Sequence, residues 1–162
     1  MGRWRPPPPE TSLYITPAGF QALELELKGL WPRRREVVAA LSAAAAEGDR
    51  SENAEYIYRK KELAGLDHRI RYLQKRLPLL SIVRDVPNAD AVYFGAYVEL
   101  EDEAGNRRQY RLVGVDEADA RQHSISMDSP LAKALLGKRV SDEVIVATPQ
   151  KTETLNICSV RY

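Results

Sequence analysis

From Phe20 onward the apolar positions recur at intervals of three and four: Phe20, Leu23, Leu27, Leu30, a gap at Arg34, then Val37, Leu41 and Ala44. After a polar stretch the rhythm restarts at Tyr56, is interrupted at Arg59, and continues through Leu63, Leu66, Ile70, Leu73, Leu77 and Leu80. Alternating threes and fours average about 3.5 residues, which confines each set to one seam of a helix and favours a left-handed supercoil with a partner. If the chain folds back on itself, facing residues must have position numbers with a constant sum. Ala44 with Tyr56, Leu41 with Arg59, Val37 with Leu63, Arg34 with Leu66, Leu30 with Ile70, Leu27 with Leu73, Leu23 with Leu77 and Phe20 with Leu80 all sum to 100. The pattern predicts an antiparallel two-helix coiled coil with an arm about 40 Å long, and with residues 48–56 at its tip. Arg34 and Arg59 interrupt the seam, as polar residues do where they fix register.

Punctuation residues set the expected boundaries. The run Pro6 to Pro9 cannot be helical, so residues 1–15 read as a flexible leader. Thr16-Pro17 has the form of a cap followed by proline at the first helical position. Pro32, inside the first helix, predicts a kink or a break near Gly29 to Pro32. Ala39 to Ala46 is nearly all alanine and allows close approach of the two helices, and Gly48 suits a helix C-terminus. Asp49 with Glu52 three residues later has the form of a capping box opening the second helix, which should stop near Leu77 before Pro78.

Beyond the linker at Asp85-Val86-Pro87-Asn88 the signal changes to β. Strands are expected over Val92 to Leu100 and Tyr110 to Val115 around the turn Asp102 to Asn106, then over Ser124 to Met127, Val144 to Ala147 and Leu155 to Val160. A short helix from Leu131 to Leu136 is stopped by Gly137. The expected fold class is α+β: a leader over 1–15, a coiled-coil domain over 16–84, and a mostly antiparallel sheet with one short helix over 85–162.

Composition narrows the function classes. With 24 basic and 23 acidic residues the net charge is +1, so any charge-driven role must come from local segregation. One cysteine, Cys158, excludes an internal disulfide, and with two histidines it cannot complete a conventional zinc site. His68, His123 and Cys158 have no partners at useful spacing and are assigned no chemistry. The N-terminus lacks the apolar core of a signal peptide, and no run is apolar enough to span a bilayer. The expectation is a monomeric, soluble, cytoplasmic protein without a membrane partner.

Asp49 and Glu52 admit two readings. A D-x-x-E at a helix start is ordinarily a cap, stabilising by about 1 kcal/mol. Two carboxylates at the end of a long rod are poor catalysts alone, because an exposed tip has no walls to exclude water or shift a pKa. Inserted into another protein's active site, they could share a hard divalent cation and orient an attacking water.

The tip Gly48-Asp49-Arg50-Ser51-Glu52-Asn53-Ala54-Glu55-Tyr56 closely resembles that of bacterial Gre transcript-cleavage factors, the GreB type in particular. The resemblance extends through Arg59-Lys60-Lys61, Asp67 to Leu73, Phe94-Gly95-Ala96, Arg111 to Gly114 and Ile125 to Ala132, and covers Thr16 to Tyr162. It implies a factor that enters the secondary channel of RNA polymerase with its coiled coil and is not itself an enzyme. The tip acids Asp49 and Glu52 would help hold a magnesium ion, Mg2+, in the polymerase active site, which then cleaves backtracked RNA near its 3′ end. The resemblance also implies an FKBP-like C-terminal domain docking on the channel rim through Asp128-Ser129-Pro130. Capping of the short helix is the simpler role for that loop, and both can hold together.

The second helix is basic: Arg59, Lys60, Lys61, Arg69, Arg71, Lys75 and Arg76 face three acids between Glu55 and Arg76. Such a surplus often serves only solvation; the resemblance implies contact with the extruded RNA, for which phosphate attraction is the physical reason. Glu62 and Ala64 stand where more basic residues are expected, and Pro32 precedes the family's usual proline. Tyr56, at the tip end of the seam, is expected to pack, with stacking on a base as the alternative. Three rivals stand beside the cleavage factor: a channel-binding factor without cleavage, a prolyl isomerase built on the C-terminal domain, and a coiled-coil adaptor that needs neither tip acid.

Overall fold

The first helix, α1, runs from Pro17 to Ala45 and the second, α2, from Ala54 to Arg76, in a computed structural model that describes residues 10–48, 53–86 and 90–162. Every seam position named above is buried or half-buried, and Leu23, Val37, Ala44, Ile70 and Leu73 are buried. The large apolar side chains off the seam, Leu25, Trp31, Ile57 and Tyr58, are exposed. Ion pairs link the helices in antiparallel order. On one flank Glu26 meets Arg69 and Arg33 meets Glu62; on the other, Arg34 Nε donates to Asp67 Oδ1 at 2.7 Å. Half-exposed pairs of this kind contribute up to about 1 kcal/mol each, so the apolar seam supplies most of the hairpin's stability.

Leu73→Ala is therefore expected to destabilise the hairpin by about 3 kcal/mol, read as a lowered urea midpoint. Leu25→Ala, at a side chain 61% exposed, should leave the midpoint almost unmoved.

The break allowed for at Pro32 does not occur. α1 is a single helix with Pro32 inside it. Pro32 and Lys28 both lie on the exposed side, so the Lys28 carbonyl that loses its helical donor is open to water. At the other end α2 passes into a 3₁₀ turn over Leu77–Leu79, with Pro78 inside it.

The leader expectation also needs correction at its end. Residues Tyr14–Ile15 form strand β1, parallel to β2 at Ser81–Ile82; Ser81 N donates to Leu13 O at 2.8 Å and Val83 N to Ile15 O at 2.9 Å. Residues 1–9 lie outside the described residues. The chain divides into two compact units, residues 18–80 and residues 81–162 together with the N-terminal segment to Pro17.

The second unit holds a five-stranded sheet: β3 Tyr97–Asp102, β4 Arg107–Val113, β5 Ser124–Ser126, β6 Glu143–Ala147 and β7 Thr152–Arg161, in the order β5-β4-β3-β7-β6. All neighbours are antiparallel except β4 and β5. Helix α3, Pro130–Leu135, buries Ala132 and Leu135 in a core with Val98, Leu100, Leu112, Val144 and Ile157.

Two details depart from the strand pattern. The strand expected from Val92 begins only at Tyr97; Val92 N instead donates to Lys138 O, and Gly95, at φ +85°, turns the chain before Ala96. In β7 the register with β3 slips between Glu99 and Leu100, so Cys158 is an extra residue. That bulge shifts the inward phase from Leu155 and Ile157 to Val160 and Tyr162, keeping apolar side chains on one face.

Candidate functional site

The tip is closed by a residue that sequence patterning passed over. Asn53 is the N-cap of α2: its Oδ1 accepts from Tyr56 N at 3.1 Å, and its Nδ2 donates to Ala44 O at 2.8 Å. One amide side chain thus satisfies an orphan donor of α2 and a terminal carbonyl of α1. The capping box expected at Asp49 and Glu52 is corrected accordingly, since α2 starts at Ala54 and its cap is Asn53. Asp49 and Glu52, the expected metal-facing pair, lie outside the described residues, directly between Gly48 and Asn53 in sequence. The signal that could have located the cap is Asn itself, a preferred N-cap residue, with Glu55 in the first turn. Asn53→Ala is expected to cost about 1–2 kcal/mol, and hydrogen exchange should show lost protection at the Tyr56 amide.

Behind the tip the charges are sorted. Arg59 is half-buried on the seam and is held by Glu55 at 2.8 Å and Glu62 at 2.9 Å, and Glu62 also bonds Arg33 across the hairpin. The Arg33 guanidinium, then desolvation against it, then Arg59 act on Glu62, and the net effect holds its carboxyl below the usual range. Glu62, which departs from the basic residue expected there, forms one of the ion pairs that tie α2 to α1. Arg69 bonds Glu26 through Nε at 2.6 Å and a second nitrogen at 2.9 Å, a bidentate pair that lowers the Glu26 pKa.

The expected basic face is thereby divided. At about 100° per residue, Lys60, Arg71, Lys75 and Lys61 fall within one arc on the outer side of α2, and all four are exposed. No ion pair to them forms among the described residues. Arg69 and Arg76 lie on the opposite flank, and Arg59 lies on the seam. Tyr56 is half-buried at the tip end of the seam, the position expected of a packing residue. Among the described residues no cluster of acids, histidines or cysteines is placed to hold a metal ion.

The loop Asp128-Ser129-Pro130 is built as a helix start. Ser129 Oγ accepts from Ala132 N at 3.2 Å, and Pro130 occupies the first turn, exposed. Asp128 Oδ2 accepts from Ser12 N at 2.9 Å and so holds the N-terminal segment. The same segment is held by Glu117, which sequence reasoning did not single out: its carboxylate accepts from Thr16 N at 3.0 Å, from Gly114 N at 2.9 Å and from the Thr16 hydroxyl.

Two family models cover the chain: "Transcription elongation factor, N-terminal" over residues 13–82 and "Transcription elongation factor, GreA/GreB, C-term" over residues 87–162. The chain belongs to the GreA/GreB family, and to its GreB type. It is 56% identical over 165 residues to transcription elongation factor GreB of Xanthomonas axonopodis pv. citri, covering 100% of this chain and 98% of the relative. It is 50% identical over 164 residues to the GreB of Pseudomonas aeruginosa, with the same coverage. The GreA factor homolog 1 of Thermus thermophilus, a solved structure, is 27% identical over 93% of this chain and 99% of its own, with a TM-score of 0.43. Membership in the GreA/GreB family makes the chain a transcription elongation factor. No helix among the described residues is long and apolar enough to cross a membrane.

Proposed function

We propose that this elongation factor inserts its helical hairpin into the secondary channel of RNA polymerase and stimulates the polymerase's own cleavage of backtracked RNA. The observation that carries the proposal is the capping of the tip. Asn53 serves as the cap of α2, so the capping role that the D-x-x-E spacing suggests for Asp49 and Glu52 is taken by another residue. Their carboxylates are hard oxygen donors suited to magnesium. Two carboxylates supply too few ligands for an octahedral ion, so the ion is shared with acids of the polymerase. When bound there it supplies a polarised phosphoryl oxygen and an activated water. Asp49 and Glu52 contribute ligand oxygens, and the chain itself remains a cofactor of another enzyme's nuclease activity.

The exposed arc of Lys60, Lys61, Arg71 and Lys75 supports contact with the displaced RNA 3′ segment through its phosphates. Arg59 and Arg69 contribute less to that contact, because their guanidiniums are engaged with Glu55, Glu62 and Glu26. Arg76 lies on the opposite flank. The loop at Asp128 to Pro130 offers Pro130 as its exposed element for docking on the polymerase. The test is a cleavage assay on a defined backtracked elongation complex with magnesium present. Added protein must shorten the RNA from its 3′ end; failure to do so would favour the channel-binding factor without cleavage.

A further inference from the structure

The sheet carries a feature that the cleavage role does not use. Tyr97 on β3 is the cross-strand partner of Arg111 on β4 and of Arg161 on β7. The two guanidinium carbons stand 4.8 Å and 4.4 Å from the centre of its ring. Stacking of this kind holds two flexible side chains in place while their N–H edges stay available.

Neighbouring arginines are treated differently. Arg107 is bound by Glu101 at 2.8 Å and Glu99 at 3.1 Å, and Arg108 stands 3.5 Å from both Asp102 and Glu153. Among the described residues neither Arg111 nor Arg161 forms an ion pair; Arg111 Nε makes one long bond, 3.5 Å, to Gly95 O. The uncompensated positive charge on this side of the sheet is therefore concentrated at Tyr97. Beside it opens a concavity of about 470 Å³ whose lining includes Tyr97, Gln109, Tyr110, Arg111, His123 and Ser124. The His123 ring stands edge-on to Tyr110, with centroids 6.2 Å apart.

We propose that single-stranded nucleic acid binds in this concavity and across the adjoining Tyr97 ring, with Arg111, which lines the concavity, and Arg161, stacked on the same ring from β7, engaging backbone phosphates, and Gln109, His123 and Ser124 meeting base edges or sugar hydroxyls. Arginine forks match phosphate oxygens bidentately, and preorganisation by Tyr97 reduces the entropy lost on binding. An acidic peptide would offer carboxylates to the guanidiniums and backbone N–H groups to Gln109, Ser124 and His123, and is therefore the competitor against which RNA is tested. Nucleotides present both donors and acceptors on bases and 2′-hydroxyls. RNA is chosen as the probe because the chain is a transcription factor, so the inference stands apart from the cleavage role.

The test is fluorescence anisotropy of a labelled single-stranded 12-residue RNA with the full-length protein. It is run in a background where Lys60, Lys61, Arg71 and Lys75 are replaced by Ala, which removes the main RNA contact proposed for the hairpin. In that background Arg111→Ala with Arg161→Ala should weaken binding about tenfold. The same change should flatten the slope of log affinity against log salt by about 1.4, the equivalent of two phosphates on a single strand. Thermal melting followed by circular dichroism checks folding. Should the double variant unfold, Arg161→Ala alone, at the exposed end of β7, must still weaken binding and flatten the slope. Unchanged affinity and slope would overturn the inference. So would displacement of the RNA by a glutamate peptide as effectively as by unlabelled RNA of equal charge. RNA cleavage measured with the arginine variants keeps the two proposals separate, since loss of cleavage depends on Asp49 and Glu52.

Discussion

Replacing Asp49 by Asn and Glu52 by Gln is expected to reduce stimulated RNA cleavage by at least about a hundredfold while leaving binding to the polymerase intact. Both substitutions keep the size of the side chain and its capacity to accept a hydrogen bond, and remove only the negative charge. A ligand shared with a divalent cation depends on that charge, whereas a cap does not, because neutral Asn caps a helix as well as Asp. In this chain the α2 cap is Asn53, whose bonds to Tyr56 N and Ala44 O do not involve either acid. The double variant should accordingly melt within about 0.5 kcal/mol of the unaltered protein. Cleavage on a backtracked complex and competition for polymerase against the unaltered protein are the two measurements. Full cleavage by the variant would sink the tip-acid mechanism; loss of cleavage together with loss of binding would assign the acids to docking instead.

Gly114→Ala is expected to be strongly destabilising to the sheet unit. A Cβ at Gly114 would lie 2.2 Å from the Tyr14 carbonyl oxygen and 3.1 Å from Glu117 Oε2. The first contact is with backbone already committed to β1, so it cannot be relieved by rotating a side chain. Either β1 separates from β2, or Glu117 releases Gly114 N and Thr16 N, whose bonds to it are 2.9 Å and 3.0 Å. Overpacking of this kind, with hydrogen bonds lost, costs on the order of 3 kcal/mol. Equilibrium urea unfolding measures the total. Hydrogen exchange locates it, because the Ser81 and Val83 amides, which donate to Leu13 and Ile15, should exchange faster than those of β3 and β4. A variant as stable as the parent, with both amides still protected, would refute the close-approach account.

The hairpin was legible because its determinants are local and repeated. A seam of threes and fours states the period, and the constant sum states the register, so no single residue has to be interpreted correctly. The strands were legible for the same reason, as runs of alternating or β-branched residues, although their ends were not. β3 starts at Tyr97 and not Val92 because Gly95 at φ +85° and the bond from Val92 N to Lys138 O divert the chain, and neither is visible in the composition of Val92 to Leu100.

What the sequence determined by itself was the antiparallel hairpin, its apolar seam and the position of Asp49 and Glu52 between the two helices. Only the tertiary structure decided that Asn53 caps α2, that Tyr14–Ile15 pairs with Ser81–Ile82, that Glu117 secures Thr16, and that Arg111 and Arg161 converge on Tyr97. The physical reason is the difference between periodic and singular information. A buried stripe is written many times over within one helix, whereas these contacts, most of them between residues far apart in sequence, are each specified by one or two residues whose types suit many other roles.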